Sequence, residues 1–163
     1  MGGHRARTTG GEGRLGALNL PTAGLVYADA QIAIYTVDMH ATYEPVLRSL
    51  WQAVRAGSIT VVSSELVLME TLVGPLRSGD TLLATDREAL WRQANTALFP
   101  VTEQVLRQAA MLRASVPSLK TPDAIHAATA MVHGCIQFVT NDIGFRRVPG
   151  LPIVILDDVI AVP

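Results

Sequence analysis

The segment TPDAIHAATAMVHGCIQFVTND, residues 121–142, contains the pattern that decides the fold, a helix followed directly by a strand. Thr121 and Pro122 are residue types expected at the N-cap and at the first position of a helix. Gly134 is typical of the residue just after a helix. The apolar run from Ile136 to Thr140 then predicts a buried strand that ends at an Asn-Asp pair. This helix–strand unit is the building block of α/β proteins.

The same alternation of helix and strand extends through most of the chain. It predicts an α/β fold, a three-layer α/β/α sandwich whose mostly parallel sheet has four to five strands. The predicted strands are residues 25–28, 59–62, 136–140 and 153–156, with a weak candidate at 99–101. The predicted helices are residues 30–35, 43–55, 65–73, 80–98 (with a break near 85–86), 102–114 and 121–133, and the third ends at Gly74-Pro75.

The composition indicates a single domain with a different kind of segment before it. The chain has 163 residues, of which 49% are hydrophobic and 17% charged, as expected of one compact unit. Residues 1–24 contain seven of the thirteen glycines and no aromatic residue. Such a segment buries too little apolar area to offset its ordering entropy. We therefore predict a flexible N-terminal extension, residues 1–24, and a domain over residues 25–163.

Cysteine content and hydropathy bear on the compartment. The single cysteine, Cys135, excludes an intrachain disulfide and is interpreted as an apolar strand residue rather than a nucleophile. No run approaches the roughly 18 apolar residues of a membrane helix, and no secretory signal is recognisable. We therefore expect a cytoplasmic protein without a membrane segment.

The charge balance limits how the chain could bind nucleic acid. Thirteen basic and fourteen acidic residues give a net charge of −1, which provides little general attraction to a polyanion. Binding would have to come from a local patch or from a bound metal. Four arginines are candidates for steering phosphates, although for each one taken individually a solvated surface residue is the favoured interpretation: Arg77, Arg87, Arg92 and Arg113.

Four acidic residues are predicted to meet at the carboxyl edge of the sheet. Asp29 and Asp142 follow strands, whereas Glu70 and Asp123 lie in helices near that edge. Four converging carboxylates repel one another, and a hard divalent cation such as Mg²⁺ or Mn²⁺ relieves that repulsion. Each residue also has a purely structural interpretation.

These structural interpretations are a helix N-cap for Asp29, a first-turn dipole partner for Asp123, a turn residue for Asp142 and a solvent-facing position for Glu70.

The acidic residues lie in segments that resemble the motifs of PIN-domain nucleases. The similar segments are VYADAQIAIY (26–35), SSELVLMETLVGPL (63–76), LKTPDAIHAATA (119–130) and VTND (139–142) with Phe145. The resemblance spans about residues 25–157, and its third segment is the most specific. Within the family, the compact form resembles the toxin component of VapBC-type toxin–antitoxin pairs.

The resemblance implies an endoribonuclease that holds Mg²⁺ or Mn²⁺ and hydrolyses RNA phosphodiester bonds. It also implies a cognate antitoxin and a homodimer. Thr140 and Asn141 match a polar pair that would orient the fourth acid or contact phosphate. Gln31 stands where the family usually has asparagine, and its longer arm would loosen the metal's ligand shell. The positions that match the catalytic and metal-binding acids are Asp29, Glu70, Asp123 and Asp142.

Two neighbouring residues compete with or support these acids. Glu65 lies five residues before Glu70, about 140° around a helix, so both cannot face one metal. The motif favours Glu70, and Glu65 is better explained as a first-turn acid. His126 lies three residues after Asp123, on nearly the same helix face. It could donate a hydrogen bond towards the site, but a histidine packed beneath the carboxylates is the favoured interpretation.

Two other functions remain to be weighed against the nuclease. A PIN-like domain that has lost catalysis could act as a protein-interaction or RNA-binding module, as Gln31 and the near-neutral charge would allow. Phosphotransfer enzymes of the haloacid-dehalogenase or receiver type also use acids at strand ends. They require a second acid two residues after the first or a well-placed lysine, whereas this chain offers Asp29-Ala30-Gln31 and one lysine.

Overall fold

The structure is a computed structural model that describes residues 16–161, and its centre is a five-stranded parallel sheet. The strand order is β3-β2-β1-β4-β5, and every neighbouring pair is parallel. This confirms the predicted α/β fold class. The strands are β1 (Leu25–Ala28), β2 (Thr60–Ser64), β3 (Thr96–Phe99), β4 (Gln137–Thr140) and β5 (Ile153–Ile155).

Helices cover both faces of the sheet, as parallel strands joined by crossover helices require. Alternate residues of β1 enter two separate cores, since Val26 and Ala28 pack on one face and Tyr27 on the other. The helices are α1 (Ala30–Val37), α2 (Glu44–Arg55), α3 (Leu66–Ser78), α4 (Thr81–Ala89), α5 (Glu103–Ser115), α6 (Thr121–Val132) and α7 (Leu156–Ile160). The first core includes side chains of α1, α2 and α3, and the second those of α5 and α6.

Helix α3 continues past the Gly74-Pro75 pair at which we predicted its end, so that prediction was wrong. A proline inside a helix leaves the carbonyl four residues earlier without its usual donor. Here that carbonyl belongs to Thr71, and the buried Arg87 guanidinium donates to it at 2.7 Å. The helix instead ends at Ser78, and Gly79, with a positive φ of 72°, is its C-cap.

The region from residue 80 to 98 also differs from prediction. Helix α4 runs without a break through residues 85 and 86 and ends at Ala89, and a 3₁₀ helix covers Leu90–Arg92. Asn95 then adopts a left-handed conformation, with φ of 60°, and donates to the Val54 carbonyl at 3.1 Å. Strand β3 follows at Thr96 rather than 99, because pairing with β2 supplies its backbone partners.

Residues near the predicted domain boundaries pack more closely than expected. Leu18, which we assigned to the extension, is buried in the first core, and the Asn19 carbonyl accepts a bond from Gln137 at 2.8 Å. Residues 1–15 lie outside the described residues, so their flexibility stays a prediction. Cys135 precedes β4 rather than lying within it, and burial raises the pKa of its thiol to about 12. Within residues 16–161, no helix combines the length and hydropathy of a membrane span.

Candidate active site

The carboxyl edge of the sheet carries a polar cavity of about 200 Å³. Its walls come from segments far apart in sequence, because β1 and β4 end side by side and α3 and α6 begin at the same edge. Gln31, His126 and Phe145 contribute to the lining. The same cavity is lined by the four acids that the sequence singled out: Asp29, Glu70, Asp123 and Asp142.

Asp29 is both a helix cap and a member of the cavity. It directly follows β1 and is the N-cap of α1, with its Oδ1 accepting from the Ile32 amide at 3.2 Å. Its Oδ2 accepts a short hydrogen bond from the Thr140 hydroxyl. Both oxygens are therefore held in place, so the structural interpretation and the site interpretation apply to one residue.

Burial makes Asp29 unusually reluctant to ionise. The side chain is buried, with 5% of the residue exposed, and this loss of solvation raises the pKa of Asp29 from 3.8 to about 6. The bond from Thr140 opposes the increase, and the charge of Glu70 adds to it. Asp29 thus exchanges its proton close to neutral pH.

Asp142, which follows a strand, and Asp123, in the first turn of a helix, line the cavity together. Asp142 caps the 3₁₀ helix Ile143–Arg147, with its Oδ1 accepting from the Gly144 amide at 2.7 Å. Asp123 lies in the first turn of α6, whose N-cap is Lys120 rather than the predicted Thr121. Burial, followed by the charge of Asp142, raises the pKa of Asp123, and the charge of Lys120 opposes this.

Glu70 reaches the cavity from α3 and binds a buried histidine. Its Oε2 lies 2.6 Å from Nε2 of His126. His126 itself is only 2% exposed. His126 is therefore a packed histidine that also bonds to an acid of the site, so both interpretations of it apply. Glu65 is exposed and does not line the cavity, which leaves Glu70 as the acid of this helix at the site.

Tyr27 is the site residue that sequence reasoning missed. Its hydroxyl lies 2.6 Å from Nδ1 of His126 and accepts from the Ser64 amide at 2.9 Å. The sequence shows only a tyrosine in an apolar strand, two residues before Asp29. Nothing local to the chain identifies its partner 99 residues away.

Thr140 and Asn141, the polar pair at the end of β4, make contacts in different parts of the molecule. Thr140 donates to Asp29 and accepts from the Asp142 amide at 3.0 Å, so it links two acids of the cavity. Asn141 does not line the cavity. Its Oδ1 accepts from the amide of Asp157, in the first turn of α7, at 2.9 Å, and its Nδ2 donates to Tyr43 at 2.9 Å.

The arginines proposed for steering phosphates mostly have other partners. Arg87 is buried and forms an ion pair with Asp38 at 2.9 Å, which corrects its assignment as a surface residue. Arg92 pairs with Glu88 on the helix surface, and Arg113 donates to the Leu119 carbonyl.

Positive charge reaches the site instead from Lys120 and Arg147. These two line a second cavity of about 140 Å³, which shares Asp123 and Asp142 with the first.

The donor set suits a divalent cation that keeps much of its water. Within residues 16–161, no three Asp, Glu, His or Cys side chains are close enough together to form a metal cage as they stand. Mg²⁺, however, is usually bound through one or two carboxylates and retains several waters. A cavity of about 200 Å³ lined by carboxylates fits such a hydrated ion.

One family model matches most of the chain. It is the model of the PIN domain, and it matches residues 26–151. A comparison with curated proteins found no match.

Three solved structures illustrate the shared fold. VapBC2 from Rickettsia felis bound to a promoter DNA fragment has a TM-score of 0.65 at 19% identity, covering 80% of this chain and 97% of that one. VapBC-1 from nontypeable Haemophilus influenzae has a TM-score of 0.64 at 17% identity, covering 82% and 98%. VapBC-5 from Mycobacterium tuberculosis, a member of a family of toxin–antitoxin systems, has a TM-score of 0.52 at 23% identity, covering 83% and 98%.

Proposed function

The chain belongs to the PIN-domain family, and from this premise we propose that it is a metal-dependent endoribonuclease, the toxin of a toxin–antitoxin pair. One observation carries the proposal. Four carboxylates from four separate segments line one cavity at the carboxyl edge of the sheet. Burying charges of one sign together is costly unless a cation or protons balance them.

We assign the metal to the acids of this cavity. Asp29 and Asp123, together with Asp142, are proposed as direct ligands for Mg²⁺ or Mn²⁺, and Glu70 would complete the shell directly or through water. When bound, such an ion lowers the pKa of a coordinated water and neutralises charge that develops on a phosphate. Thr140 donates to Asp29 and holds its carboxylate in one orientation.

The placement of Lys120 and Arg147 supports an RNA substrate. Both line the smaller cavity that adjoins the acids, so a phosphate there would lie beside the reacting one. Because the net charge is −1, a local cationic edge of this kind is what RNA binding requires. Lys120→Gln should therefore raise KM for an RNA substrate more than it lowers kcat, and an unchanged KM would contradict this role.

The outer surface of α3 and α4 supports a protein partner. It exposes a run of large apolar residues that a soluble monomer rarely leaves open: Met69, Val73, Leu76 and Leu82. The similar structure VapBC-5 is described as a member of a family of toxin–antitoxin systems, and this chain is proposed to bind a cognate antitoxin. We also propose a homodimer, which light scattering of the purified chain would test.

The central experiment compares two acidic substitutions in one assay. Asp123→Asn removes a cavity charge, whereas Glu65→Gln removes an exposed one on a neighbouring element and serves as the matched control. Cleavage of labelled RNA with Mn²⁺, and calorimetric titration with Mn²⁺, are measured on both. We expect Asp123→Asn to lose both RNA cleavage and Mn²⁺ binding, and Glu65→Gln to keep both. Wild-type protein that binds no Mn²⁺ or Mg²⁺ at millimolar concentration would refute the proposal.

A second candidate is a PIN-like domain without catalysis that binds protein or RNA. The absence of a ready three-ligand cage within residues 16–161, together with Gln31 at the cavity wall, favours it. It predicts that RNA or partner binding is unaffected by Asp123→Asn and by chelators. It also predicts that Gln31→Asn increases Mn²⁺ affinity.

A further inference from the structure

We infer that His126 is a positioning residue, held in one tautomer by Tyr27 and by the Ser64 amide, that fixes the Glu70 carboxylate at the cavity. The consequence for catalysis rests on the proposed function, whereas the hydrogen-bond arrangement does not. The chain of contacts joins β2, β1, α6 and α3 in that order. It therefore links the sheet to the one acid of the site that lies on α3.

The Ser64 amide sets which group donates and which accepts along this series of hydrogen bonds. The Ser64 backbone amide can only donate, and it donates to the Tyr27 hydroxyl oxygen at 2.9 Å. The Tyr27 side chain is buried, and a phenol keeps its proton at neutral pH. The hydroxyl oxygen accepts from the amide, and we assign Nδ1 of His126, 2.6 Å away, as the acceptor of the hydroxyl proton.

The tautomer of His126 follows from this donor. A ring nitrogen that accepts a hydrogen bond carries no proton, so the imidazole proton is on Nε2. Nε2 lies 2.6 Å from Oε2 of Glu70 and donates to it. The opposite tautomer would place a lone pair against the carboxylate and a proton against the hydroxyl's own proton.

The packing around Tyr27 and His126 holds these hydrogen-bonded side chains in place. The Tyr27 ring stacks on Phe138 with centroids 4.9 Å apart and planes 3° from parallel. Tyr27 and His126 are buried, while 24% of the Glu70 side chain is exposed. Without the histidine, the glutamate could rotate towards solvent. The bond commits Oε2 to His126 and leaves Oε1 as the oxygen for the cavity.

A purely structural role for the same bonds makes different predictions. Residues that orient a metal ligand typically change metal affinity by about 10- to 100-fold when replaced. A bond that only stabilises the fold changes the free energy of unfolding and leaves the affinity of the folded protein unaltered. The two roles are separated by measuring both quantities on variants that keep the ring packing.

Tyr27→Phe removes the hydroxyl but keeps the stacked ring. Its matched control is Thr129→Val. This substitution also removes a buried hydroxyl, but one that lies on α6 and donates only to the Ile125 carbonyl. We expect Tyr27→Phe to weaken Mn²⁺ binding at least tenfold in calorimetric titration, and Thr129→Val to leave it unchanged. Equal Mn²⁺ affinity in wild type and Tyr27→Phe would overturn the inference.

A double-mutant cycle tests the tautomer argument. A glutamine side chain can donate from Nε2 as histidine does, but it has no tautomer to be set by Tyr27. His126→Gln should therefore keep most of the Mn²⁺ affinity, and adding Tyr27→Phe to it should have little further effect. An effect of Tyr27→Phe as large in the glutamine background as in wild type would contradict the assignment.

The tautomer itself is read from wild-type protein, so the test does not depend on any variant folding. The ¹⁵N chemical shifts of the His126 imidazole should show a protonated Nε2 and an unprotonated Nδ1 without metal. A proton on Nδ1 would overturn the inference. If wild-type protein binds no Mn²⁺, the proposed function fails, and the ¹⁵N spectrum alone then decides the hydrogen-bond chain.

Discussion

The buried carboxylate of Asp29 should make the metal-free protein less stable as the pH rises, and Asp29→Asn should remove that effect. Folding raises the pKa of Asp29 from 3.8 to about 6 because burial removes water from the charged form. At about 1.4 kcal/mol per tenfold change in proton affinity, this corresponds to about 3 kcal/mol. Asparagine keeps the size and the capping oxygen of the side chain but carries no charge.

The sign of the effect follows from where each state releases its proton. Below about pH 4 the carboxyl is protonated in both states and costs nothing. Between about pH 4 and pH 6 the unfolded chain has lost a proton that the folded chain still holds, so raising the pH favours unfolding. Above about pH 6 both states are ionised, and the full cost of about 3 kcal/mol is present in the wild type alone.

Urea unfolding in the presence of EDTA measures this directly. The difference in free energy of unfolding, variant minus wild type, should rise by about 3 kcal/mol between pH 4 and pH 7 and then level off. Using the pH-dependent part removes any constant offset caused by the substitution. A difference that stays flat across this range would refute the buried-carboxylate argument. Saturating Mn²⁺ should stabilise the wild type and not the variant, by about 2.7 kcal/mol at a hundredfold excess over Kd.

Three further predictions test other contacts. Asp38→Ala leaves the buried Arg87 without its carboxylate and should cost about 1–3 kcal/mol in urea unfolding, because the Asp38 side chain is 40% exposed, whereas a loss below about 0.5 kcal/mol would mean that the pair contributes little. Leu18→Ala should cost about 2–3 kcal/mol, and an unchanged midpoint would show that this segment does not pack in solution. Thr140→Val removes the donor to Asp29 and should weaken Mn²⁺ binding by about 10- to 100-fold in calorimetric titration. Equal Mn²⁺ affinity in this variant and in wild type would contradict the orienting role of Thr140.

Patterns that are local in sequence predicted the architecture well. Alternation of apolar runs and helical periodicity gave the α/β fold class, because a strand or helix is recognised from spacing within about ten residues. Local rules failed where a distant group supplied the missing partner. Pro75 does not end α3 because Arg87, twelve residues later, satisfies the carbonyl that it leaves unpaired. Strand β3 forms because β2 pairs with it, although the sequence pattern assigns residues 96–98 to a helix and only Phe99 to a weak strand.

The sequence by itself determined which chemistry was available. Asp29, Glu70, Asp123 and Asp142 could be selected because strand ends and helix starts of a parallel sheet meet at one edge.

Only the tertiary structure decided how those acids are held. It buried Asp29 with a hydrogen bond from the Thr140 hydroxyl, directed Asn141 to the first turn of α7, and joined Glu70 through His126 to Tyr27. Hydrogen bonds and desolvation depend on distances of a few ångströms between residues up to a hundred positions apart, and no spacing within the chain encodes those distances.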